Sequence, residues 1–210
     1  MIHIQAFKFN PFQENTYLVY TDGGECLIID PGCYDKAEEN ILTEFISKKN
    51  LTPTLLVNTH CHIDHVFGNR FVADKYNLTP IIHPLEEEML EAVSRVADMY
   101  GLNYTPSPEP EILKEEEIKL GEETFKVLFV PGHSPGHIAL YHAGSSSVIA
   151  GDVLFRQSIG RTDLPGGNME TLLDSIRTQL FVLPENTSVY AGHMEETTIG
   201  YEKKYNPFLN

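Results

Sequence analysis

Residues 2–8 (IHIQAFK) alternate apolar and polar side chains with the period of two that marks a half-buried strand. The alternation returns at 15–21 (NTYLVYT) after Asn10-Pro11, and an apolar run at 25–30 (ECLIID) follows Asp22-Gly23-Gly24. Three such runs joined by short turns predict an antiparallel meander. Between Asp35 and Lys49 the period changes, because Ile41, Leu42, Phe45 and Ile46 fall at helical spacing with acids early and lysines late, as the helix dipole favours. An amphipathic helix is predicted there. A buried strand at 54–58 (TLLVN), a polar loop at 59–64, a helix from about 65 to 77 and a short strand near 79–83 follow, so the pattern becomes α/β. Pro84 then opens a helix that ends at Gly101, and the Glu86-Glu87-Glu88 run reads as its solvated first turn.

The Pro-rich stretch from Thr105 to Pro110 reads as a connector. A second hairpin is predicted at about 115–120 and 124–130, then strands near 138–142 and 147–151, a helix at about 168–180 and a strand near 187–191. Both halves run from antiparallel strands into strand–loop–helix units. This predicts two sheets covered by helices, within a chain of 210 residues read as one domain, 1–210.

Charge and composition narrow the function. Lysine and arginine number 15 against 30 aspartates and glutamates, a formal charge of −15 that opposes capture of a nucleic-acid backbone or an anionic bilayer. No apolar run approaches the roughly 18 residues of a membrane span, and the N-terminus lacks the basic and apolar regions of a secretory signal. A cytoplasmic protein is expected, with no nucleic-acid or membrane partner. The three cysteines, Cys26, Cys33 and Cys61, form no Cys-x-x-Cys pair and suit free thiols in a reducing compartment.

The chemistry lies in the histidines. Thr59-His60-Cys61-His62-Ile63-Asp64-His65 sits where a buried strand ends and a helix begins. In an extended segment His60, His62 and Asp64 point to one side, and the turn into the helix brings His65 beside Asp64. Cys61 alternates away from them and reads as a buried, inert thiol. Imidazole and carboxylate donors without thiolate suit zinc, iron or manganese, and the absence of a closed Cys-rich set points to a catalytic site. Val130-Pro131-Gly132-His133-Ser134-Pro135-Gly136-His137 follows another apolar strand; His133 reads as a ligand and His137 as its support. Gly151-Asp152 and Gly192-His193 each end a strand. Taken singly, Asp152 could be a turn carboxylate and His193 a surface histidine; together they complete a ligand set. Five histidines and two aspartates are too many donors for one metal, and suit two metals sharing a carboxylate.

His-x-His-x-Asp-His, Pro-Gly-His-Ser-Pro-Gly-His, Gly-Asp and Gly-His together resemble the metallo-β-lactamase superfamily. The resemblance implies an α/β fold, an αββα sandwich of two mixed sheets flanked by helices. It assigns His60, His62, His133 and Asp152 to a first metal, and Asp64, His65, Asp152 and His193 to a second, and makes Asp30 a support of the ligand loop. Gly160-Arg161-Thr162-Asp163-Leu164-Pro165-Gly166-Gly167, Glu196-Thr197-Thr198-Ile199-Gly200 and Asn206-Pro207-Phe208-Leu209 are similar to the short bacterial branch of the glyoxalase II-like hydrolases. Glyoxalase II proper carries an added C-terminal helical region for the glutathione moiety, whereas 17 residues follow His193 here, and Met194 stands where many relatives have glycine.

The resemblance therefore implies two divalent ions, zinc foremost with iron or manganese as alternatives, and hydrolysis of a small-molecule thioester such as S-lactoylglutathione. Asp64 would orient the attacking hydroxide as the catalytic residue. Arg161 is a candidate for a substrate carboxylate, or for a local ion pair with Asp163. A persulfide dioxygenase with a single iron resembles the same segments; the complete second-metal set and Leu164-Pro165-Gly166-Gly167 favour hydrolysis. A non-catalytic metal-binding protein would have lost a ligand, and none is missing.

Overall fold

The N-terminal alternating runs form β1 (Ile2–Phe9), β2 (Glu14–Thr21) and β3 (Glu25–Ile29) in the computed structural model, which describes residues 1–209. They pair antiparallel, with Ile4 opposite Val19 and Leu18 opposite Ile28. From β3 onward the pairing turns parallel, through β4 (Thr52–Val57), β5 (Pro80–Ile82) and β6 (Glu111–Ile112). Among the described residues this gives a six-stranded mixed sheet in the order β1-β2-β3-β4-β5-β6.

Parallel neighbours need crossovers, and helices supply them. These are α1 (Lys36–Lys48), α2 (Ile63–Val66) with α3 (Asn69–Tyr76), and α4 (Glu87–Tyr100). The α1 helix starts where Asp35 accepts hydrogen bonds from the Ala37 and Glu38 amides, and it buries Leu42 and Ile46 in a cluster with Leu18, Ile28 and Leu56. These elements belong to one compact unit, Met1–Lys114 with Lys119–Glu123.

The single helix predicted over 65–77 is two helices. The Gly68 amide donates to the Pro31 carbonyl at 2.7 Å, and a Cβ there would lie 2.8 Å from that oxygen, so the backbone docks at a place where only glycine fits. Glu86 also departs from expectation. It closes a 3₁₀ turn, Pro84–Glu86, ahead of α4, and is fully buried rather than solvated.

The second sheet contains β7 (Glu117–Leu120), β8 (Glu123–Phe129), β9 (Ile138–His142), β10 (Ser147–Gly151), β13 (Ser188–Ala191) and β14 (Thr197–Thr198). Its order among the described residues is β14-β13-β10-β9-β8-β7, with β10 and β13 parallel and β8, β9 and β10 antiparallel. A small hairpin of β11 (Leu154–Phe155) and β12 (Ser158–Ile159) follows β10. The predicted helix at 168–180 begins as α5 (Met169–Ser175) on an Asn168 cap and continues as a π-helical turn, Ile176–Leu180. Leu172, Ile176 and Leu180 bury their side chains with Val130, Ala150 and Val189. The chain closes with α6 (Ile199–Tyr205), capped by Thr198. Most of these elements form the second compact unit, Glu115–Ile118 with the chain from Thr124 onward.

No helix among the described residues is long and apolar enough to cross a membrane.

Candidate metal centre

In the first unit, β4 delivers the chain to Asn58, and irregular backbone carries it through His62, which is extended (φ −68°, ψ 151°), into α2. The His60 ring centroid lies 4.7 Å from that of His62 and 4.1 Å from that of His65. His65 Nε2 is 3.7 Å from Asp64 Oδ2. The four residues singled out in this segment therefore share one locality. Cys61, between them, turns into the core with Val66, Ile82 and Val93, and burial pushes its thiol well up, so it packs as an inert group and offers no thiolate.

Asp30 organises the loop. It sits just beyond β3 in the left-handed region (φ 49°), which aspartate tolerates better than most residues, and it is 1% exposed. Its Oδ1 accepts from the Thr59 amide at 2.7 Å, and its Oδ2 accepts from Thr59 Oγ1 at 2.6 Å and from His65 Nδ1 at 3.1 Å. The Thr59 hydroxyl gives its one hydrogen to Asp30, so it accepts from His60 Nδ1 at 3.1 Å. His60 and His65 consequently hold their protons on Nδ1 and present Nε2 lone pairs, the form a metal requires. The chemistry of this donor set fits a divalent ion of the zinc, iron or manganese kind.

Sequence reading missed the residues that clamp this loop. Asn10 donates to the carbonyls of Asp64 at 2.9 Å and Gly32 at 3.1 Å, and Asn58 donates to the carbonyl of His65 at 3.0 Å. Asn10 is legible along the chain only as a turn former. Its second role depends on a residue 54 positions away. Glu14 is missed as well: it is fully buried, receives the Thr16 hydroxyl on Oε2, and lies 3.9 Å from His65 Nδ1 through Oε1. Burial holds its carboxyl well above the usual range, and the nearby His65 only partly opposes this.

In the second unit, the loop after Val130 turns through Gly132 at φ 129°, where a Cβ would lie 2.3 Å from the Leu172 amide nitrogen. This close approach seats His133, whose Nδ1 donates to the Arg161 carbonyl at 2.8 Å and whose Nε2 lies 3.6 Å from Asp152 Oδ2. His193 Nε2 is 3.5 Å from the same oxygen. One carboxylate oxygen thus faces two imidazoles. His137 accepts the Asp152 amide on Nε2 at 3.0 Å, so it steadies Asp152 from behind.

The Arg161 side chain is engaged locally. Its Nε and Nη2 reach Asp163 Oδ1 and Oδ2 at 2.7 and 2.8 Å in an exposed fork, the local ion pair that the sequence offers as one alternative. The guanidinium holds the Asp163 carboxyl down at about 2, against an ordinary 3.8. Because the folded value is depressed, the pairing is fully present above the ordinary value and fades as pH falls through about 2. Carboxyl NMR titration is expected to find Asp163 near 2, and Arg161→Ala to move it toward 3.8. An unchanged titration in the variant would disprove the pairing.

Comparison with known proteins agrees with this picture. The family model for the metallo-β-lactamase superfamily matches residues 9–193. The chain is 37% identical over 214 residues to hydroxyacylglutathione hydrolase GloC of Haemophilus influenzae, covering 100% of this chain and 99% of the relative. Among solved structures it is similar to the BLEG-1 B3 metallo-β-lactamase, at 36% identity over 99% of both chains with a TM-score of 0.90. It is also similar to TTHA1623, solved in a di-iron-bound form, at 39% identity over 98% of this chain and 100% of the other, TM-score 0.87. With two mixed sheets flanked by helices, both histidine loops, and a family match that spans residues 9–193, the chain belongs to the metallo-β-lactamase superfamily.

Proposed function

We propose that the protein is a metal-dependent hydrolase of small thioesters, in which His60, His62, His133 and Asp152 hold one divalent ion and Asp64, His65, Asp152 and His193 a second. The observation that carries this is Asp152 Oδ2, poised 3.6 and 3.5 Å from the Nε2 atoms of His133 and His193, as a carboxylate shared between two metals would be. Zinc suits the donors, and iron, which the related TTHA1623 holds, suits them equally.

Bound divalent ions supply Lewis acidity, lowering the pKa of water toward about 7 and polarising a carbonyl. The chain's own residues do the rest. Asp64, beside His65, orients the attacking water and takes its proton. Asp30, directly and through Thr59, keeps His65 and His60 in the ligand tautomer, and His137 holds the Asp152 backbone. A thiol leaving group, with a pKa of about 8.5, departs without a strong general acid, which matches the lack of one among the named residues. The thioester class rests on the 37% identity to a hydroxyacylglutathione hydrolase.

Elemental analysis of purified protein, with parallel assays of S-lactoylglutathione, a β-lactam and glutathione persulfide, tests this reading. About two divalent ions per chain are expected, with thiol release that stops on chelation and returns when metal is restored. A single iron with oxygen uptake and no thiol release would overturn it. Turnover of the β-lactam alone would overturn the substrate class.

A further inference from the structure

Glu86 is a carboxylate for which the proposed reaction has no use, yet it is fully buried. Its Oε2 accepts the Cys61 amide at 2.8 Å, across 25 residues of chain. We infer that Glu86 is a positioning residue for the metal loop: by pinning the peptide between His60 and His62 it sets the direction in which both imidazoles project.

The juxtaposition comes from the sheet. β4 and β5 are parallel neighbours, with Leu56 opposite Pro80 and Val57 opposite Ile81, so both strands end at the same edge. The segment leaving β4 becomes the His60–His62 loop, and the segment leaving β5 becomes the 3₁₀ turn that ends in Glu86. The turn is braced from within. Pro84 occupies its first position, His83 Nδ1 accepts from the Leu85 amide at 3.2 Å, and the Glu86 amide donates to the His83 carbonyl at 2.9 Å. Placing an acid in the interior is costly unless its oxygens meet donors, and the Cys61 amide is such a donor. On the other side of the same peptide, Cys61 is locked into the core with Ile63, Val66, Ile82 and Val93. With its amide held by Glu86 and its side chain held by the core, Cys61 has little rotational freedom. The rings of His60 and His62, its two neighbours, lie 4.7 Å apart between centroids, so the held Cys61 backbone directs both to one place.

This inference rests on the reading that His60 and His62 ligate metal, and the test separates the two. Chelator competition on the full chain measures metal affinity, and the visible spectrum of the cobalt-loaded protein reports ligand geometry. Glu86→Ala is expected to weaken metal binding by about ten- to hundredfold, the range typical of partners that orient a ligand, and to alter the cobalt spectrum. Glu86→Gln, whose amide oxygen can still accept from Cys61, is expected to restore affinity and spectrum toward those of the parent. Ile46→Ala, in the separate core cluster beneath α1, is expected to lower stability and leave both metal readouts unchanged.

If Glu86→Ala does not fold, Glu86→Met keeps the volume while removing the acceptor and carries the same expectation. Failure of both to fold would make the carboxylate a folding element and overturn the positioning role. Parent-like affinity and spectrum in a folded acceptor-less variant would overturn it as well. A parent protein that binds no divalent metal would instead overturn the metal reading on which it stands.

Discussion

Asp152→Ala is expected to abolish retention of the full metal complement and to lower thioester turnover by well over the ten- to hundredfold that loss of an outer, orienting partner causes. The reason is local and electrostatic. Asp152 Oδ2 lies 3.6 Å from His133 Nε2 and 3.5 Å from His193 Nε2. Removing it takes an anion from each proposed metal and leaves the imidazoles without the charge that offsets two divalent ions. Asp152→Asn keeps the shape and an acceptor oxygen but not the charge, so it should retain more metal than alanine and less than the parent. The Asp152 backbone is held independently, since its amide donates to His137, so the fold should survive and the loss can be read as chemistry. Metal content per chain and thiol release at saturating metal are the measurements. A variant with the parent's metal content and rate would disprove the shared role of Asp152.

Asp30→Ala is expected to destabilise the protein by about 2–5 kcal/mol, since each buried donor left without an acceptor costs about 1–3 kcal/mol, and to weaken metal binding by about ten- to hundredfold. Three donors lose their acceptor together: the Thr59 amide, the Thr59 hydroxyl and His65 Nδ1. With the carboxylate gone, nothing in this network holds the His65 proton on Nδ1, and its transfer to Nε2 would block the ligand nitrogen. Alanine also tolerates the left-handed backbone at position 30 less well than aspartate does. Asp30→Asn keeps that tolerance and one acceptor, and is expected to fall between parent and alanine. Urea unfolding measures the first effect and chelator competition the second. Parent-like values for Asp30→Ala in both would show that the loop is organised without it.

Local patterns were legible wherever an element was long enough to show its period. The β1–β3 meander and α1 occur where alternation and helical spacing place them. The β11–β12 hairpin, β14 and α6 went unread because segments of two to seven residues are too short to show a reliable period. Two departures from the local pattern have a different source. The pattern over 65–77 predicts one continuous helix because nothing near Gly68 in sequence reveals the Pro31 carbonyl against which it breaks. Glu86 looks solvated in sequence because a run of three glutamates carries no mark of the Cys61 amide that one of them meets.

By itself the sequence determined which donor atoms are available and in what spacing, since His60, His62, Asp64 and His65 are covalent near-neighbours whose proximity needs no distant partner. It likewise determined the class of fold, because the period of burial is a property of consecutive residues. Only the tertiary structure decided which nitrogen of His60 and His65 carries the proton, which oxygen of Asp152 faces both His133 and His193, and which glutamate supports the loop. Those outcomes depend on partners 15 to 41 residues apart within a unit, brought together by strand register and crossovers, or on the orientation of a side chain within them. Register is set by the whole sheet, so no local stretch of sequence encodes it.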